Sequence, residues 1–148
     1  MSEAISKQSV SEELNALIEV DFDAIAAYQA AIERLDSDAL KSKFREFLRD
    51  HERHVSQLSS AVIALGDEPA TKGDLIRFLT KGKVVIADFL GDKAIMMAMK
   101  TNEDQTNKAY KKALGGHYPQ DVRDIILNGL GDEQNHRDWI VAKLKAME

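Results

Sequence analysis

Residues 50–58 read Asp-His-Glu-Arg-His-Val-Ser-Gln-Leu, and they interrupt a run that otherwise asks for an amphipathic helix. Leu40, Phe44, Phe47, Leu48, Val55, Leu58, Val62 and Leu65 recur at the three- and four-residue spacing of one helix face. An α-helix turns about 100° per residue, so His51 falls at the centre of that apolar stripe and His54 at its margin. Ser37 or Asp38 is the expected N-cap, and Gly66 followed by Pro69 closes the segment. Two imidazoles therefore stand where this helix should present its core.

Three further helices are expected around it. Leu14, Leu17, Ile18, Ile25, Tyr28, Ile32 and Leu35 mark one from Ser11, with residues 1–10 expected as a flexible polar tail. Ile95, Met96, Met99, Tyr110, Ala113 and Leu114 mark a third, with Asp92 as its expected cap and Gly115-Gly116 as its end. Val122, Ile125, Ile126, Leu130, Ile140, Leu144 and Met147 mark the last. Short turns join the first two helices and the last two, which makes each pair an antiparallel hairpin, 11–66 and 92–147. Residues 67–91 form a longer crossover whose apolar run from Leu75 to Leu90 is expected to hold a short extra helix. The expected fold is all-α: one four-helix-bundle domain over 11–148 with a long connection between its second and third helices.

Composition narrows the function classes. The chain has 148 residues, 44% hydrophobic and 30% charged, with no cysteine. Thiol nucleophiles, iron–sulfur clusters and Cys-based zinc sites are excluded. A net charge of −5 argues against nucleic acid as a partner. The start, MSEAISKQSV, lacks the basic and apolar regions of a signal peptide, and no apolar run is long enough for a membrane helix. A cytoplasmic protein is expected.

Every helix breaks its own apolar stripe with ionisable residues. Asp21 lies central on the first, His51 and His54 on the second, Glu103 on the third, Glu133 and His136 on the fourth. Heights agree as well. With about 1.5 Å of rise per residue, Asp21 lies roughly 23 Å before the first turn and His51–His54 roughly 22–25 Å after it. Glu103 lies roughly 17 Å before the second turn and Glu133–His136 roughly 18–22 Å after it. A shift of 82 residues maps Asp21 onto Glu103, Tyr28 onto Tyr110, Asp50 onto Asp132, His51 onto Glu133 and His54 onto His136. Two related hairpins facing each other about a pseudo-two-fold axis are expected.

A lone core Asp or His is more often hydrogen-bonded structure than a ligand. Three carboxylates and three imidazoles at one level are another matter, because buried charges are costly unless paired or bound to metal. Residues at i and i+3 share a helix face, so Glu133 with His136, and His51 with His54, can each offer two donors to one region. Mixed N/O donors suit iron, manganese or zinc, and carboxylates can bridge two ions. Asp50, about 95° from the stripe centre, would become an alternative ligand only if its helix were rotated or distorted. Tyr28 and Tyr110 read first as core aromatics, with a hydrogen bond to a ligand as the other reading. His117 and Arg53 read as solvated.

One carboxylate from each of two helices plus Glu-x-x-His from the other two is the pattern of ferritin-like di-iron and di-manganese proteins. With Asp21-Phe-Asp-Ala-Ile-Ala-Ala-Tyr28 and the 50–58 stretch, the sequence resembles rubrerythrin and bacterioferritin relatives, and most of all small uncharacterised bacterial ferritin-like domain proteins. The resemblance covers most of 11–147. It implies Asp21 and Glu103 as the single-helix carboxylates and Glu133 with His136 as a complete Glu-x-x-His unit. His51 departs from it, since the pattern has Glu there; one carboxylate charge and one potential bridge are missing. The implied function is a mono- or dinuclear non-haem site, iron first and manganese or zinc as alternatives. Ferroxidase- or peroxidase-like chemistry in iron handling or oxidative-stress defence would follow, in a homodimer. A non-catalytic metal-stabilised stress-related protein and a metal-free interaction scaffold are the alternatives.

Overall fold

The computed structural model describes residues 2–71 and 91–147, and side chains from residue 9 onward. Four helices and no strand occur among the described residues: α1 (Ser2–Arg34), α2 (Asp38–Ala64), α3 (Asp92–Ala113) and α4 (Gln120–Ala146). None of them is long and apolar enough to cross a membrane.

Helix α1 begins at Ser2, ahead of the expected start at Ser11, so the tail expected over residues 1–10 is helical from Ser2. Val10 is buried in an apolar cluster, and the Ser11 hydroxyl donates to Asp67 Oδ2 at 2.6 Å, so both serve as mid-helix contacts. Ser37 caps α2, its side chain accepting from the Leu40 N–H at 3.2 Å. Gly66, at φ 87°, supplies the left-handed residue that ends α2. Asp92 does not cap its own helix. Its carboxylate accepts instead from the backbone N–H groups of Asp36 (2.7 Å) and Ser37 (3.1 Å), tying the start of α3 to the α1–α2 turn.

Those ties fix the directions of the helices. The start of α3 lies at the end of α1, while Asp67 and the α3–α4 turn lie near the start of α1, where Tyr118 donates to Glu13 at 2.5 Å. Helix α1 packs on α2 and α3, and α4 packs on α3 and α2, with every packed pair antiparallel. The chain leaves α2 at one end of the bundle and enters α3 at the other. The extra helix expected in the crossover falls on 72–90, outside the described residues.

The apolar core comes in two parts. One gathers Ala31, Leu35, Leu40, Phe44, Phe47, Ile95, Met96, Met99 and Ile140. The other gathers Leu14, Leu17, Ile18, Leu58, Val62, Val122 and Ile126. Between them, at mid-height, lies the layer of ionisable side chains. Two dry blocks of core thus hold the polar layer in place and keep water from its flanks.

Candidate metal centre

All six residues that break the helical stripes meet in this layer. Asp21 from α1, His51 and His54 from α2, Glu103 from α3, and Glu133 and His136 from α4 are each at most 2% exposed. His54, expected at a stripe margin, is therefore as interior as the rest.

They form two overlapping groups. Asp21, His51, His54 and Glu133 offer ligand atoms that all lie within 4.8 Å of one another, and so do His51, Glu103, Glu133 and His136. In the first group His51 Nδ1 and His54 Nδ1 both donate to Asp21 Oδ1, at 2.8 and 3.1 Å. Glu133 Oε1 lies 3.4 Å from His51 Nδ1 and 3.3 Å from His54 Nδ1. In the second group Glu103 Oε1 lies 3.5 Å from both His51 Nε2 and His136 Nδ1, and Glu133 Oε2 lies 3.6 Å from His136 Nδ1.

These separations test whether the residues fit a metal. Four donors placed tetrahedrally at about 2.1 Å from an ion stand about 3.4 Å apart. In the second group the three separations from Glu103 and Glu133 to the ring nitrogens, 3.5–3.6 Å, are close to that spacing and too long for good hydrogen bonds. Consistently, His51 Nε2 and His136 Nδ1 of this group are buried with no hydrogen-bond partner, as is Glu133 Oε1 on the side of the first group. Unpaired polar atoms of this kind are rare and costly in a protein interior. The donor set fits an ion.

The charges are paired within the layer. Burial raises the Asp21 carboxyl, but hydrogen bonds from His51 and His54 more than offset it and hold the group below the usual carboxylate range. Burial likewise raises Glu103, and His136 and His51 bring it well below. Burial lowers the imidazoles, yet the carboxylates win in each case. His51 is raised well above its ordinary value, chiefly by Glu133 and Asp21. His54 is raised to about 9 by Asp21 and Glu133, and His136 to about 10 by Asp50, Glu103 and Glu133. The raised imidazoles of His51, His54 and His136 thus face the side chains of Asp21, Glu103 and Glu133, and a metal ion would take the place of the imidazole protons.

A set of outer partners fixes the rings, and each comes from the opposite hairpin. Tyr28 donates to Glu103 Oε1, and Tyr110 donates to Asp21 Oδ2 at 2.5 Å. Burial and the adjoining carboxylates push both phenols well up, so they remain donors. The tyrosines are thus core aromatics and hydrogen-bond partners at once. Asp50 does not turn into the cluster as an alternative ligand. It lies outside, where its Oδ2 accepts from His136 Nε2 at 2.7 Å. Asp132 does the same for His54 Nε2 at 2.8 Å. Arg53, expected to be merely solvated, joins these two acids: Nη1 donates to Asp50 at 3.0 Å and Nη2 donates to Asp132. His117 is exposed, as its turn suggests.

Asp132, Thr106 and Asn107 are the site residues that sequence reading missed. For Asp132 a signal existed, since the 82-residue shift pairs it with Asp50. Thr106 Oγ1 lies 3.0 Å from Glu103 Oε2 and 3.1 Å from Glu133 Oε2, and Asn107 Nδ2 donates to the backbone carbonyls of Glu103 and Glu133. The repeat offers no cue there, because their counterparts are Ala24 and Ile25.

Known proteins place this architecture. No functionally curated protein matches the sequence. A crystal structure from Anabaena variabilis, of a two-domain protein containing DJ-1/ThiJ/PfpI-like and ferritin-like domains, superimposes with a TM-score of 0.83 at 14% identity. The match covers 96% of this chain and 40% of that one, so this chain spans well under half of that protein's length. At that identity the likeness speaks for the fold, which is ferritin-like. The family described as "Domain of unknown function (DUF2383)" matches residues 9–116, well over half of the sequence, and the chain belongs to that family.

Proposed function

We propose that this protein binds metal in the middle of its bundle, holding one or two non-haem ions, with iron as the resident metal and manganese or zinc as competitors. The observation that carries the reading is the trio of buried, unpartnered atoms, His51 Nε2, Glu133 Oε1 and His136 Nδ1, within the two overlapping groups of donors. Asp21, His51, His54, Glu103, Glu133 and His136 are the ligands. Iron held there supplies one-electron chemistry toward oxygen or peroxide, in iron handling or oxidative-stress defence. The chain's own part is to orient and to insulate. Asp50 and Asp132 hold His136 and His54 by their outer nitrogens, leaving the inner nitrogen of each for an ion. Tyr28 and Tyr110 restrain one oxygen each of Glu103 and Asp21. The two apolar blocks keep bulk water away.

Every ligand is at most 2% exposed, which favours ions and diatomic-sized oxidants over an organic substrate, and the same burial leaves a non-catalytic, metal-stabilised bundle as the second reading. The absence of cysteine accords with a cytoplasmic setting, and a homodimer is the assembly we propose on general frequency.

Metal analysis of untagged protein from its native host is the direct test, followed by anaerobic Fe(II) loading and exposure to oxygen. Stoichiometric iron and a ferric-oxo absorbance are expected. Protein without bound metal, together with a His136→Ala variant whose iron uptake and thermal stability match the parent, would overturn the reading. Iron uptake with no absorbance change on oxygenation would leave a metal-stabilised, non-catalytic protein.

A further inference from the structure

Position 51 carries His where the ferritin-like pattern has Glu, and the structure shows where that ring lies. His51 Nδ1 faces one group, 2.8 Å from Asp21 Oδ1 and 3.4 Å from Glu133 Oε1. Its Nε2 faces the other, 3.5 Å from Glu103 Oε1, and has no hydrogen-bond partner. The ring centroid is 5.6 Å from that of His54 and 5.2 Å from that of His136, nearly midway between the two. His51 and Glu133 are the two residues common to both groups. They are also each other's counterparts under the 82-residue shift, so the pseudo-two-fold axis passes between them.

We propose that His51 bridges two metal ions through its two ring nitrogens. Nδ1 binds an ion shared with Asp21, His54 and Glu133, and Nε2 binds an ion shared with Glu103, His136 and Glu133. The inference rests on the metal-binding reading and deepens it, fixing the number of ions and what joins them.

Charge supports the bridge. A ring that binds an ion at each nitrogen has released both ring protons to solvent and carries one negative charge. Added to Asp21, Glu103 and Glu133, it balances two divalent ions and restores the charge lost with the missing carboxylate. A neutral His51 would leave the ligand set one charge short of two divalent ions, to be met only from outside by Asp50 and Asp132 less the Arg53 charge they share, whereas the imidazolate balances the ions within the buried layer. Each ion also receives two nitrogen and two oxygen donors, a set that suits first-row transition metals. The rival arrangement is a single ion on Nε2, with Nδ1–H still bonded to Asp21.

Cu(II) is the probe that separates the two, since it heads the divalent affinity order. Chelator-treated, untagged protein is titrated with Cu(II), and bound metal is counted after desalting. Two ions per chain are expected, with a low-temperature EPR intensity far below two spins, because the shared imidazolate, together with the shared Glu133 carboxylate, couples the two unpaired electrons. In Zn(II) competition titrations His51→Ala should weaken both ions by about 100-fold or more, beyond the usual effect of an outer partner. His54→Ala should weaken one ion and His136→Ala the other. One ion per chain, a full two-spin signal, or a His51→Ala variant that weakens a single ion overturns the bridge while leaving metal binding intact. Failure of the parent protein to take up any ion overturns both readings. The EPR measurement uses the parent chain, so the outcome does not depend on how His51→Ala folds.

Discussion

In the half of the polar layer around Asp21, one carboxylate oxygen accepts from both His51 and His54 at 2.8 and 3.1 Å, and only Glu133 Oε1, 3.3–3.4 Å from the same two nitrogens, is left without a partner. In the half around Glu103 the same kinds of group stand 3.5–3.6 Å apart, and two imidazole nitrogens have no partner. The outer partners do not cause this difference, because both halves have a tyrosine on the carboxylate and an aspartate on the histidine. The halves differ at Thr106. Its hydroxyl sits against Glu103 Oε2 and Glu133 Oε2 together, on the oxygens turned away from the rings' closest contacts, while Ala24 at the matching place has no hydroxyl to offer. On the proposed metal reading, the Glu103 half would take an ion with less rearrangement, and the other would first have to release Asp21 from two hydrogen bonds. Pre-formed geometry costs less to occupy.

The largest expected effect comes from removing what the halves share. Glu133 belongs to both groups, so Glu133→Gln should lower the affinity of both ions by more than about 100-fold, measured by Zn(II) competition. Retained affinity at one ion would show that the halves are independent. Removing the outer acids should instead separate them. Asp50→Asn should weaken the ion on His136 and Asp132→Asn the ion on His54, each by about 10–100-fold. If either variant weakened both ions equally, the comparison would lose its meaning.

This pairing also marks how far the sequence was legible. Periodicity placed six polar residues on four stripes, and rise per residue put them at one height; both depend only on regular helices. Asp50 and Asp132 each precede a candidate ligand on their own helix, yet each serves the histidine of the opposite hairpin. An angle measured around one helix cannot report which neighbouring helix a side chain reaches. Arg53 shows the same limit: half-exposed, it read as solvated, but its two ends engage acids on two helices. Asp92 was misread because a carboxylate at a helix start usually caps that helix, whereas here unpaired N–H groups of the facing turn compete for it. Thr106, three residues after Glu103, looks like any helical threonine until α4 is in place.

Acidity distinguishes the halves more gently. In chelated protein the imidazoles of His54 and His136 are raised to about 9 and about 10. A group raised on folding stabilises fully below its unfolded value and ceases to do so as pH climbs through its folded value. The melting temperature of the metal-free protein should therefore fall progressively from about pH 6.5 to pH 10, the His54 contribution being lost before that of His136. On the acid side, Asp21 and Glu103 are lowered, so their contribution is present above the ordinary carboxylate range and lost as pH falls below it. Metal-loaded protein should show the opposite trend through neutrality, because ions bind unprotonated imidazole. A flat melting temperature from pH 6.5 to 10 in the metal-free form would remove the charge-paired layer from the account.

The smallest effect concerns how each tyrosine is seated. Tyr28 packs edge-on against Phe44 and Phe47, with ring centroids 5.1 and 6.1 Å away. Tyr110 has Gly129 in the place that Phe47 takes in the other hairpin, and its ring fills the space a side chain would need. A Cβ at position 129 would lie 2.5 Å from Tyr110 Cε2. The ring cannot swing clear cheaply, because it is buried and its hydroxyl is engaged with Asp21. Gly131, two residues on in the same helix, has nothing within 4 Å. Exchanging glycine for alanine in a helix ordinarily stabilises by about 0.5–1 kcal/mol, and Gly131→Ala should show that gain. Gly129→Ala should instead destabilise by about 1–3 kcal/mol through overpacking, and should loosen the bond from Tyr110 to Asp21. Urea unfolding of the two variants reads the sign directly. Equal gains at both positions would mean that Tyr110 moves freely and that the Asp21 half is held by its histidines alone.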